Sequence, residues 1–307
     1  MSTSPQVAVV TPAAPLAATA GTGMHIALRG LVGRLFREKP LGAAGGIICI
    51  LFLLCGIFSD VLSPYGFSQI APLERLHPPS WAHPFGTDNL GRDMLSRCLH
   101  GARLSVIVAV SAAALSTFIS MLIGVVSGYA SGRVDLIVQR FVDAWMSFPD
   151  LVILIVIVSV FDPGMTTIIC TLGLLFGIGG SRVVRSAVVS VRENMYVHAA
   201  QSIGASTSRI LWRHIVPNVL PPVIVLFTTR LGGAILAESS LSFLGLGVPP
   251  PAPTWGGMLS GSGRTYMFQG PWLALAPGLS ITLVVYATNV FGDALRDLLD
   301  PRMRGSR

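Results

Sequence analysis

The side chains that could do chemistry in this 307-residue chain are few, and most are arginines. Arg192, Arg209 and Arg213 stand in one polar stretch, from Arg192 to Pro222, in which Glu193 is the only acid. Arg230 and Glu238, two helical turns apart, interrupt one apolar run, and Asp143 and Asp150 interrupt another at a spacing that puts them on one helix face. Such groups pair with charges, hold ions or line a polar path. A charge within a membrane costs several kcal/mol unless it is paired or wetted, so each is a candidate site. Motifs for covalent or phosphate chemistry are missing. Lys39 is the sole lysine and Pro40 follows it, so no Gly-Lys-Ser/Thr phosphate loop can form. HExxH, GxSxG and GxGxxG are absent as well. Cys49, Cys55, Cys98 and Cys170 lack paired spacing and read as small apolar side chains rather than metal ligands. No metal or cofactor is expected in the chain, and work against a gradient needs energy from another subunit or an ion.

The elements that position these residues follow from composition. Apolar residues make up 52% and charged ones 11%, against about 25% charged in soluble domains. A mean hydropathy of +0.69 says membrane. About 20 apolar residues cross a bilayer. On that rule the sequence predicts an all-α integral membrane protein with six transmembrane helices, at about 41–62, 104–130, 137–161, 165–185, 219–238 and 272–292. The third is interrupted by Arg140, Asp143 and Asp150, and Pro149 is placed to kink it. Gly42/Gly46, Gly124/Gly128 and Gly173/Gly177 provide small-xxx-small spacings for close helix approach. In this reading 1–28 is a disordered tail, 29–103 holds the first span and an outer segment, 104–292 is a five-helix core, and 293–307 is a second tail. The formal charge of +7 does not imply nucleic acid, because the arginines cluster at the ends of apolar runs.

Six crossings put both termini on one side. Fifteen of the 21 basic residues fall on that side, together with the loop 192–222; Arg75, Arg92, Arg97, Arg103 and Arg264 fall on the other, and Arg230 lies between. The positive-inside rule makes the termini and the loop cytoplasmic. Within the loop, Gly204 suits a chain reversal between two short helices. Pro217 is expected to stop the second helix, and Asn218 to cap the next one. Arg209 and Arg213 share one face of that second helix, and Leu211 and Ile215 another. By composition alone, an Arg-rich loop that only fixes topology is the simpler reading.

The spacing of His198-Ala199-Ala200, Gly204 and His214-Ile215-Val216-Pro217-Asn218 resembles the EAA loop of bacterial ABC importer permeases. HPFGTDNLGRDMLSRCLHGARLS (83–105), ESSLSFLGLGVPPPAPTWGGML (238–259) and FGDALRDLLDPRMR from Phe291 resemble the dipeptide/oligopeptide/nickel branch of that family. One departure is His198, which stands where the loop's namesake glutamate would be. The resemblance implies an ABC importer type I permease-like fold with a cytoplasmic coupling helix. Its contacts with an ATPase subunit would come from His198, Ala199, Ala200, Gly204, Ala205, Arg209, Arg213, His214, Pro217 and Asn218. It also implies a second homologous permease, two cytoplasmic ATP-binding domains that hold ATP and Mg, an extracytoplasmic peptide-binding protein and a peptide substrate, in a bacterial cytoplasmic membrane among its lipids. The chain itself would catalyse nothing.

Arg230, Glu238, Asp143 and Asp150 are the translocation-path candidates; inter-helix ion pairing is the alternative for each. Asp88, Arg92, Asp93 and Arg97 fit helical i,i+4 pairs or a docking surface for the binding protein. A nickel importer, an ion-coupled carrier with Arg230, Asp143 and Asp150 as a relay, and an intramembrane enzyme are the rival functions.

Overall fold

The computed structural model describes residues 32–299, so the tail expected over 1–28 and the residues after 299 lie outside it. The described residues form no strand, only an isolated bridge between Thr87 and Asp93. The helices are α1 (Pro40–Ile57), α2 (Met94–Ala130), α3 (Gly132–Met146), α4 (Asp150–Val160), α5 (Met165–Arg192), α6 (Met195–Ser202), α7 (Thr207–Phe243), α8 (Trp255–Met258) and α9 (Trp272–Leu299). Among the described residues α1, α2, α5, α7 and α9 are long and apolar enough to cross a membrane, and α3 with α4 makes a sixth span if the bent pair counts as one.

The helices outrun the apolar segments expected from composition. Helix α2 starts at Met94 rather than 104, α5 runs to Arg192, α7 begins at Thr207 rather than 219, and α9 continues through 293–299, where a tail was expected. Hydropathy marks the greasy part of a helix, whereas its ends are set by caps. Helix α2 illustrates this: Asp93 accepts the Ser96 N–H at 2.7 Å, satisfying a free donor of the first turn.

Two expectations need correction. The third span is not one helix, because α3 and α4 meet at 84° across Ser147–Pro149. A proline pushes the residue before it out of helical geometry, and α4, with 11 residues, is only about 16 Å long, half the bilayer core. Asp143 and Asp150 therefore sit on different helices and share no face. The second correction concerns Pro217, which does not stop a helix. A π turn over Leu211–Ile215, with the Val216 N–H reaching the Leu211 carbonyl, opens the backbone just before it. Helix α7 then continues through Pro217, Pro221 and Pro222 to Phe243. Asn218 caps no new helix; its side-chain amide donates back to the His214 carbonyl at 2.7 Å.

The helices α2 and α5 pack over their whole length because glycines bring the backbones together. A methyl group at Gly124 would stand 2.6 Å from the Val184 Cβ, and one at Gly177 would stand 2.7 Å from the Ile119 Cβ. Gly42 of α1 meets Ala294 of α9 in the same way. One buried cluster joins Met94, Leu154, Leu172, Leu241, Trp255 and Leu273 near one end of the bundle. A second joins Val184, Val188, Val197, Ile210, Ile215 and Val219 near the other. Since α2 alone is 37 residues, these ends are about 55 Å apart.

Candidate functional site

At the end of the bundle where α2 finishes, the chain makes the polar loop between α5 and α7. Arg192 anchors its start, donating from Nη1 to the Gly128 and Tyr129 carbonyls at 3.3 Å and pairing with Glu193 at 2.9 Å. Helix α6 follows and ends at Gly204, whose φ of +78° favours glycine. The Ala205 N–H returns to the Ala200 carbonyl at 3.1 Å and the Gly204 N–H to Gln201 at 2.9 Å, which closes the reversal. Ser206 then opens α7 by accepting the Arg209 N–H.

Of the residues expected to contact an ATPase subunit, His198, Ala199, Gly204, Arg209, Arg213, Pro217 and Asn218 are exposed, Ala205 and His214 are half-buried, and Ala200 is buried. The side chains of Arg209 and Arg213 make no hydrogen bond or ion pair among the described residues. The buried face of the second segment is Ile210 and Ile215 rather than Leu211 and Ile215, since the π turn adds a residue to the repeat. Three residues went unnoticed in the sequence. Met195, Ile203 and Trp212 are 88%, 84% and 70% exposed, which leaves large apolar side chains in the open on the loop that also carries Arg209 and Arg213. Their signal was legible as large apolar side chains inside a polar stretch.

The charges expected within the membrane do not form one track. Asp143 pairs with Arg182 of α5 and lies 3.6 Å from Arg140. Arg230 of α7 places its guanidinium 4.9 Å from the centre of the Phe176 ring, a cation–π contact. Its Nε is buried without a hydrogen-bond partner among the described residues, which also give the guanidinium no ion pair. Glu238 is buried one helical turn from Ser242, which donates to Oε1 at 2.7 Å. Arg230 and Glu238 thus have separate neighbours.

The opposite end carries a folded cap before α2, in which the motif residues face inward. Thr87, Asp88 and Asp93 are buried. His83 lies between Asp93 (2.9 Å) and Glu74 (3.1 Å), with Tyr65 stacked on its ring. Arg92 reaches Asp88 at 2.7 Å, while Asp93 caps α2. Of the i,i+4 pairs expected for these four residues, Asp88–Arg92 forms, but in a loop ahead of the helix, and Asp93 and Arg97 make no ion pair with each other. Trp272 donates to the Thr87 carbonyl at 3.1 Å and ties the cap to α9. Hydrogen bonds from Arg103 and His100 hold the Asp60 carboxyl below the usual carboxylate range.

Residues 120–305 match the family model described as binding-protein-dependent transport system inner membrane component. Residues 28–79 match the N-terminal TM domain of oligopeptide transport permease C. The chain is 39% identical over 295 residues to the oligopeptide transport system permease protein OppC of Bacillus subtilis, covering 94% of this chain and 96% of that one. It is 39% identical over 272 residues to the dipeptide transport system permease protein DppC of Alkalihalophilus pseudofirmus (87% and 88% covered). It is 36% identical to the di/tripeptide transport system permease protein DppC of Pseudomonas aeruginosa (86% and 89% covered). Among solved structures, a chain of the MetNI methionine ABC transporter in an inward-facing conformation superposes with a TM-score of 0.56 at 16% identity, covering 67% of this chain and 98% of that one, a likeness of fold alone.

Proposed function

The chain belongs to the family of binding-protein-dependent transport system inner membrane components, and from that premise we propose that it is the permease subunit of an ATP-driven importer of di- and oligopeptides. It is a multi-pass membrane protein without catalytic machinery of its own; ATP hydrolysis belongs to a separate subunit. Its complex would contain a second related permease, two cytoplasmic ATP-binding domains that hold ATP and Mg, and an extracytoplasmic peptide-binding protein. The excess of arginine on the loop side supports a cytoplasmic position for the loop and both termini.

One observation carries the mechanism. The second half of the loop, with the exposed Arg209, Trp212 and Arg213, is the start of a single helix, Thr207–Phe243, 37 residues and about 55 Å long. Seated in a cleft of an ATP-binding domain, Ile203, Trp212 and the two arginines would move with that domain. Because α7 is unbroken at Pro217, the displacement would reach Arg230 and Glu238 without a hinge. The bundle would then rock between inward- and outward-facing states, biased through one rigid lever. Arg230, Asp150 and Glu238 are the path residues in this reading; Asp143, paired with Arg182, serves to hold α3 on α5.

Ile203→Asp tests the lever. The side chain is exposed, so folding should be retained, while peptide uptake should fall by about two orders of magnitude as a charge enters an apolar cleft. Unchanged uptake would remove the loop from the mechanism. The relatives described above carry peptide names, and no observation favours nickel, an ion-coupled carrier or an enzyme over this reading.

A further inference from the structure

Beside the cap lies a cavity that plays no part in the lever. It has a volume of about 420 Å³ and is walled by Arg92 and Arg97 and by Ser242 at the end of α7 with the segment after it, including Pro250, Thr254 and Ser260. No acidic side chain lines it. The two guanidiniums share one carboxylate, Asp88. Arg92 Nε holds it at 2.7 Å, whereas Arg97 Nε stands 3.8 Å away, too far for a hydrogen bond. Asp88 carries one charge for the two guanidiniums, and its other oxygen is taken by the N–H groups of Leu90 (2.8 Å) and Arg92 (3.0 Å). Arg97 is only 7% exposed, and among the described residues it makes a single hydrogen bond, from Nη1 to the Phe67 carbonyl at 3.0 Å. A guanidinium carries five N–H donors. The cavity wall therefore holds one uncompensated positive charge and spare, oriented donors on a desolvated side chain, an arrangement that calls for an anion.

We propose that this cavity is a subsite for the free C-terminal carboxylate of the peptide at the outer mouth of the path, an inference that rests on the peptide-importer reading. A planar carboxylate matches the guanidinium fork. The space exceeds what a bare ion needs, and its proline and glycine walls can accept a terminal residue of any side chain. Ser242 lines the cavity and donates to Glu238 at 2.7 Å, so the subsite abuts a residue of the path.

The test uses the whole importer, with its binding protein, in proteoliposomes. Uptake of a tripeptide and of its C-terminally amidated twin is compared in the wild type, in Arg97→Gln and in Ser262→Asp. Ser262→Asp places a negative charge in the cavity without touching the arginines, and it carries the test should Arg97→Gln fail to assemble. Because the binding protein is common to all three, its own preference cancels in the acid-to-amide ratio. In both variants uptake of the free acid should fall about tenfold, the loss of one charge-assisted hydrogen bond, with the amide little changed. An unaltered ratio, or acid and amide falling together, overturns the subsite. A wild type that takes up neither peptide while hydrolysing ATP instead overturns the importer reading, and the subsite with it.

Discussion

Both ends of the bundle are polar, yet they dispose of their polar groups in opposite ways. In the cap, Asp88, Asp93 and His83 are buried, and their partners, Arg92, Ser96 and Glu74, come from the same short stretch of chain. In the loop, Arg209, Arg213, Ile203 and Trp212 are exposed, and neither arginine has a side-chain partner among the described residues. Burial with saturation makes a scaffold; exposure with unused donors makes a surface for another molecule. Substitutions among these residues should therefore separate cleanly, the saturated cap residues losing stability and the exposed loop residues losing function.

The largest effect on stability is expected in the cap. Asp93→Ala removes the α2 cap and leaves His83 short of a buried partner, and should cost about 3–5 kcal/mol, read as a lowered melting temperature in detergent. Arg213→Ala should change stability by no more than about 0.5 kcal/mol while lowering coupled uptake. Equal stability losses at the two ends would erase the contrast between them.

Between the ends, Gly124→Leu should cost about 1–3 kcal/mol by forcing α2 from α5, measured by the same unfolding transition. Gly204→Pro tests the loop's shape, since a ring with φ fixed near −65° cannot adopt +78°. The protein should still insert, but ATP hydrolysis should proceed without uptake; normal coupled uptake would count against the lever. Arg230→Leu should alter transport or assembly more than Arg264→Leu, because Arg230 lies against Phe176 within the bundle while Arg264 is exposed. Equal, negligible effects would remove Arg230 from the path.

The smallest effect concerns Asp60. Its carboxyl titrates below the usual range in the folded chain, so its contribution is fully present above a pH of about 3.9 and is lost as the pH falls further, through the lower folded value. Asp60→Asn should lower the melting temperature slightly at pH 7, and by progressively less as the pH is taken below about 3.9.

Hydropathy located the greasy segments, and the glycine spacings at 42/46, 124/128 and 173/177 coincide with close helix contacts, because both signals are local. What could not be read was how backbone irregularities resolve. Pro217 looks like a stop in any helix without a π turn, and that turn depends on Ile210 and Ile215 being held in a buried cluster. Pro149 was legible as a kink, but not the 84° bend that parts Asp143 from Asp150. The cap was misjudged for a related reason. Asp88, Arg92 and Asp93 look like solvated charges in a polar segment, and only the fold buries the two acids, with Arg92 half-buried beside Asp88. The exposure of His198, Gly204, Arg209 and Arg213 depends less on the rest of the fold, since exposed residues owe little to tertiary context.

The most direct measurement places single cysteines at 203 and 212, with a control at Leu73 in the cap, in the assembled importer within membranes. A crosslinker should join positions 203 and 212 to the ATP-binding subunit, with a yield that changes when ATP is added, and should leave position 73 unlinked to it. If the loop positions never capture that subunit, in either nucleotide state, the lever account is wrong.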